Sequence, residues 1–152
     1  MQNLSAKEKA LDYYSQDCIN CSQSVVGGHL DKFPTSAKET LKLAAGFGGG
    51  MRCGEVCGAV TGGIITLGAL YGHSEGDDAE GKQRIGELVI ELESRFKNQF
   101  GSLLCKDLLG GNLGIPEEAE RIKEQNITKQ RCPAFVGFAA EAVDKIIEEN
   151  KL

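Results

Sequence analysis

The chain has 152 residues, 41% hydrophobic and 26% charged, which suits one domain with a core large enough to need no staples. A net charge of −5 and a pI of about 5.1, with Lys and Arg dispersed among Asp and Glu, exclude the basic stripe of a nucleic-acid-binding surface. The longest apolar stretch, Ala59 to Tyr71, is interrupted by Thr61, Gly62, Gly63, Thr66 and Gly68 and falls short of the ~20 residues that span a bilayer, so no membrane span is expected.

No positively charged start with an apolar run precedes Ser5, so residues 1–16 read as a polar helix and the expected location is cytoplasmic. Ser5-Ala6-Lys7-Glu8 has capping-box spacing, and the first helix is expected to run to about Ser15. Asn20 is suited to cap a second helix, to about Leu30, with Cys21 in its first turn. Ser36-Ala37-Lys38-Glu39 repeats the capping-box pattern ahead of Leu41, Leu43, Ala44 and Ala45, and Gly46 is placed to stop that helix. A loop, Phe47 to Arg52, follows.

From about Glu55 to Tyr71 the apolar residues fall on all sides, as in a buried central helix. Gly58, Gly62, Gly63 and Gly68 each cost about 1 kcal/mol against Ala in a helix interior, which calls for a closely packed neighbour at each. Gly72 to Gly81 reads as a mobile loop. Ile85, Leu88, Val89, Leu92 and Phe96 recur at helical spacing over about Asp78 to Asn98. Cys105 then sits among Leu103, Leu104, Leu108 and Leu109 in a short segment ending near Gly110 and Gly111. Pro116 and Pro133 suit the first position of helices, and the last helix carries Phe135, Val136, Phe138, Ala139, Ala142, Val143, Ile146 and Ile147. With no run of period-2 alternation, the expected fold is all-α: a compact multi-helix bundle around the glycine-rich central helix, in one domain.

Six cysteines in a reducing compartment point to metal binding or reversible redox chemistry rather than a disulfide framework. Cys57 follows a glycine-rich turn, so backbone N–H groups can approach its sulfur. Cys132, beside Arg131 and before Pro133, is expected at a helix N-terminus and is the leading candidate for a low-pKa thiol. Cys105 reads as a buried core residue. Cys18 and Cys21 form a Cys-x-x-Cys, but Ser22 follows, so no haem attachment motif is present. Cys53 lies four residues before Cys57 and is open to roles as metal ligand, second dithiol or inert thiol. The two histidines, His29 and His73, read as structural and as a solvated loop residue. Gly48-Gly49-Gly50 lacks a P-loop lysine and reads as a tight turn.

Taken in order, Asn20-Cys21-Ser22-Gln23, Gly46-Phe47-Gly48-Gly49-Gly50-Met51, Cys57-Gly58-Ala59-Val60-Thr61-Gly62, Gly101-Ser102-Leu103-Leu104-Cys105 and Arg131-Cys132-Pro133 resemble the C_GCAxxG_C_C family of redox-active proteins, over about Leu4 to Ile147. The resemblance implies that Cys21, Cys57, Cys105 and Cys132 are the defining cysteines and the site residues, leaving Cys18 and Cys53 outside the pattern. It also implies links to transporter genes and a likeness to a domain of multihaem split-Soret cytochromes. The partners to expect are a redox protein or a transporter-associated protein, with a homo-oligomer also open. Two chemistries remain open here. Four soft thiolates suit an iron–sulfur cluster or zinc, as redox centre or accessory binding site, and thiol–disulfide exchange suits one accessible thiolate with a resolving partner.

Overall fold

A computed structural model describes residues 3–151; Met1 and Gln2, where the expected N-terminal helix begins, lie outside the described residues. Eight α-helices make up the described chain: α1 (Ala6–Tyr14), α2 (Cys21–Gly27), α3 (Ala37–Ala44), α4 (Gly58–Tyr71), α5 (Ala79–Phe100), α6 (Cys105–Leu109), α7 (Pro116–Glu124) and α8 (Ile127–Glu149). The fold is all-α. Among the described residues the β pairing is confined to one isolated antiparallel bridge, Val56 with Leu104.

Local chemistry starts most of these helices. The Ser5 hydroxyl accepts from the Glu8 N–H, although Glu8 takes the Ser5 hydroxyl proton in place of the backbone N–H a full box would use. Asn20 with Gln23, and Ser36 with Glu39, form complete capping boxes. Asp78 accepts from the Gly81 N–H at 2.9 Å and starts α5, and Pro116 occupies the first turn of α7.

Helix α4 is the centre of the bundle, with α2 on one side and α5 and α8 on the other. Gly62 lies against Ser22 and Val25 of α2, and Gly63 against Leu92 of α5 and Val143 of α8, which is the close packing these glycines call for. Gly68 has nothing near the position of a side chain, so its cost is not offset by a neighbour. One core, built on Leu67, Tyr71, Leu88, Leu92, Val143 and Ile146, fills the end of α4 farther from its start. The other surrounds the start of α4 and includes Val25, Val60, Phe96, Phe135 and Val136 together with Cys57 and Cys105. Phe96, Phe100, Phe135 and Phe138 meet there in tilted and edge-to-face pairs, with ring centroids 4.8–6.1 Å apart.

The start of the last helix differs from the sequence expectation. Helix α8 begins at Ile127, behind Asn126 at φ +59°, so Pro133 lies inside the helix and Cys132 in its second turn. Burial of Ile127 and a hydrogen bond of 2.9 Å from the Arg131 guanidinium to the Leu108 carbonyl fix the earlier turn. Pro133 costs the helix one bond, the one its missing N–H would have given to the Lys129 carbonyl. No helix among the described residues is long and apolar enough to cross a membrane.

Candidate functional site

Cys57 and Cys105 are brought together by backbone pairing. Beside the Val56–Leu104 bridge, the Cys57 N–H donates to the Leu103 carbonyl and the Cys105 N–H to the Glu55 carbonyl, each at 2.7 Å. Both residues then open helices, Cys57 as N-cap of α4 and Cys105 as first residue of α6. Cys21 is the first residue of α2, and its sulfur rests on Gly58, where any side chain would overlap it. Only glycine permits that contact. Cys132 closes the set from α8.

The four sulfurs line one cavity of about 520 Å³. Cys57 and Cys105 are buried, Cys21 and Cys132 half-buried, and all four are free thiols. Tyr14 at the end of α1, Leu108 and Leu109 of α6, and Phe135 of α8 supply further wall, while Arg52 and Lys129 stand at the exposed rim. Cys18 and Cys53 are exposed and do not line the cavity. Cys53 lies in the loop before α4, where its thiol donates to the Gly50 carbonyl at 3.4 Å.

That loop is unusual. Gly49, Gly50, Met51 and Arg52 all have φ between +56° and +65°, a full left-handed turn. For Met51 and Arg52 this conformation costs roughly 1–2 kcal/mol each. At Gly50 a side chain would also strike the Glu55 backbone, whose N–H closes the turn on the Gly50 carbonyl at 3.1 Å. The glycine run is the tight turn expected, and it delivers the Gly49 N–H to Cys21 and the Arg52 side chain to the rim.

Burial sets the electrostatics. Burial pushes the Cys21 thiol up, while the N–H groups of Gly49, Ser22, Cys21 itself and Gly58 pull it back toward the thiolate. Cys57 is held well above the ordinary thiol range by burial and then by Cys21, with the Ala59 N–H opposing. Cys105 is pushed up to about 11 by burial and by Cys21. Cys132 is pushed up to about 12 by burial, with the Tyr14 hydroxyl pulling the other way. Cys132 is therefore not the low-pKa thiol expected of a helix N-terminus: a half-turn of unpaired N–H groups is absent at its place in α8, and burial dominates. The neighbour whose charge raises Cys57, Cys105 and Cys132 alike is Cys21, which marks it as the hub of the cluster.

Tyr14 had no sequence signal, standing at the end of an ordinary polar helix. Its hydroxyl is raised by burial first and next by Cys132. His73 is in the exposed loop before α5, whereas His29 is fully buried, with Nδ1 3.5 Å from Asp144 Oδ1. Neither histidine reaches the cavity.

The four cavity thiols fall within a single sequence family. The profile of the C_GCAxxG_C_C family, described as "Putative redox-active protein", matches residues 19–146. The chain belongs to the C_GCAxxG_C_C family. All four cavity cysteines lie inside the matched span, and Cys18 lies just before it. Neither a curated protein nor a solved structure matches the chain. As for metal, thiols are the right donors for zinc or an iron–sulfur cluster. Among the described residues no group of three or more Cys, His, Asp or Glu side chains is placed to hold a metal ion.

Proposed function

We propose that this member of the C_GCAxxG_C_C family is a thiol-dependent redox protein that works by thiol–disulfide exchange, with Cys21 as attacking sulfur and Cys57 as resolving sulfur. The observation that carries the reading is the convergence of four free cysteines, from four different helices, on one cavity. Cys21 is assigned the attack because, although burial raises its thiol, four backbone N–H groups oppose that rise, more than act on any other thiol of the set, and because its charge acts on each of the other three. Cys57 is assigned the resolving step because it adjoins Gly58, on which the Cys21 sulfur rests.

In the exchange, the Cys21 thiolate attacks one sulfur of a substrate disulfide, forming a mixed disulfide and expelling the other half as a thiolate that takes a proton. Cys57 then gives up its proton and attacks the Cys21 sulfur, releasing the second half as a thiol. Two electrons have passed from the protein to the substrate, and the protein holds a Cys21–Cys57 disulfide. A dithiol reductant, as redox partner, reverses that disulfide. Cys105 and Cys132 form the adjoining dithiol, able to take over the disulfide by further exchange.

The test is mass spectrometry of reduced protein after brief exposure to a small disulfide. Loss of two hydrogens, with Cys21 linked to Cys57, is expected, and Cys57→Ser should trap the mixed disulfide on Cys21. Oxidation of Cys21→Ser at the wild-type rate would overturn the assignment. Near-stoichiometric zinc, or iron with sulfide, in protein purified without oxygen or chelator would overturn the exchange reading in favour of a metal centre.

A further inference from the structure

We propose that the four-thiol cavity takes a small organic disulfide bearing carboxylate groups, seated by Arg52 and Lys129. This substrate class rests on the thiol–disulfide reading above.

Three observations converge on it. The first is size. A cavity of about 520 Å³ lies within the range of small-molecule sites, and with Cys57 and Cys105 buried a substrate must enter it to meet the thiols. The second is charge. The chain as a whole carries −5, yet the cavity lining holds two cations, Arg52 and Lys129, against one carboxylate, Asp17. Both cations are exposed, and neither is ion-paired among the described residues. A cleft whose sign opposes that of the molecule concentrates anions. The third is the backbone. Arg52 reaches the rim only because the chain runs through a left-handed turn that includes two non-glycine residues. Strain of that kind persists where the surrounding structure imposes it, and here it places a guanidinium, able to hold a carboxylate in two parallel hydrogen bonds, beside the thiols.

The two cations come from different elements, the turn before α4 and the second residue pair of α8, so they can engage the two carboxylates of a symmetrical disulfide while its sulfurs face Cys21. The chemistry is the two-electron exchange already written. The substrate S–S bond breaks, the two Cys protons leave with the two released thiols, and the Cys21–Cys57 bond forms.

Three small symmetrical aliphatic disulfides, dithiodipropionate (a dianion), hydroxyethyl disulfide (neutral) and cystamine (a dication), separate the outcomes. Oxidation of reduced full-length protein is followed by stopped-flow kinetics and mass. Dithiodipropionate should react faster than hydroxyethyl disulfide by on the order of ten-fold, with cystamine slowest. In the Arg52→Gln/Lys129→Gln double variant the ratio of the dianion rate to the neutral rate should fall toward one. A Lys82→Gln/Lys123→Gln variant, with the same change of net charge on surfaces outside the cavity, should keep the wild-type ratio. Equal rates for all three disulfides, or the same ratio in both double variants, would overturn the carboxylate assignment and leave the exchange reading standing. A protein oxidised by none of the three would overturn both.

Discussion

Replacing Gly58 with Ala tests how the Cys21 sulfur is held. The added methyl would overlap the Cys21 sulfur, and it has no free direction, because the Ser22 N–H nitrogen and the Phe47 carbonyl oxygen lie 3.2 and 3.3 Å from the same point. Cys21 has to move. Forcing one methyl into a packed site typically costs about 1–3 kcal/mol. At the first residue of a helix, alanine returns only a small part of its interior advantage of about 1 kcal/mol over glycine. For a chain of this length each kcal/mol is worth about 2–4 °C, so the expected fall in Tm is roughly 2–10 °C by calorimetry. The displaced sulfur also loses the Gly58 N–H that favours its thiolate, so the pH profile of Cys21 alkylation should move to higher pH. Gly68→Ala is the companion: with nothing near its side-chain position, it should gain up to about 1 kcal/mol and raise Tm. A Gly58→Ala protein with unchanged Tm and an unchanged Cys21 profile would refute the contact as the reason for glycine.

Iodoacetamide at neutral pH, followed by peptide mass spectrometry, should label exposed Cys18 and Cys53 first, with Cys57, Cys105 and Cys132 lagging because burial keeps them protonated. Phe96→Ala, at the centre of the aromatic cluster and fully buried, should cost about 3–5 kcal/mol in urea unfolding. His29 gives a pH signature. Burial lowers its folded pKa from 6.5 to about 4, so on acidification the unfolded chain takes up the proton first and stability falls between those values. The loss should be on the order of 3 kcal/mol, offset at its acid end by Asp144, whose carboxyl burial raises. Urea midpoints measured against pH should flatten across this window in His29→Gln.

Much of the helical frame was legible because its signals are local. The Ser36 capping box, the Asp78 start of the long helix and the first-turn Pro116 each act within one turn, and the all-round apolar pattern from about Glu55 to Tyr71 marks the central helix, which starts three residues later, at Gly58. Pro133 misled for the same reason. The preference of proline for a first turn is also local, and here the burial of Ile127 and the Arg131 bond to Leu108 outweigh the single backbone bond that Pro133 removes. Moving the helix start six residues upstream changes the chemistry expected of Cys132, from low-pKa thiol at a helix N-terminus to protonated wall residue. The pairing of Cys57 with Cys105 had no readable signal, since one bridge between Val56 and Leu104 is too short to show period-2 alternation. Nor could Tyr14 be read, because its neighbourhood to Cys132 depends on how α1 meets α8.

In the proposed exchange, coupling between the thiols orders the two steps. An ionised Cys21 adds its charge to the burial that already keeps Cys57, Cys105 and Cys132 protonated. The cavity therefore favours one thiolate at a time, at the sulfur with the most backbone donors. When Cys21 attacks, its negative charge passes to the leaving group and exits with it. The charge penalty on Cys57 vanishes at that moment, and its proton comes off more easily after the mixed disulfide has formed than before. Burial still holds Cys57 up, so its proton needs an acceptor, which the expelled thiolate supplies. Cys21→Ser removes the same charge permanently, so alkylation of Cys57 and Cys105 in that variant should shift to lower pH than in the wild type. Profiles that coincide in the two proteins would show that burial alone holds those thiols, and the ordering of the steps would then need another cause.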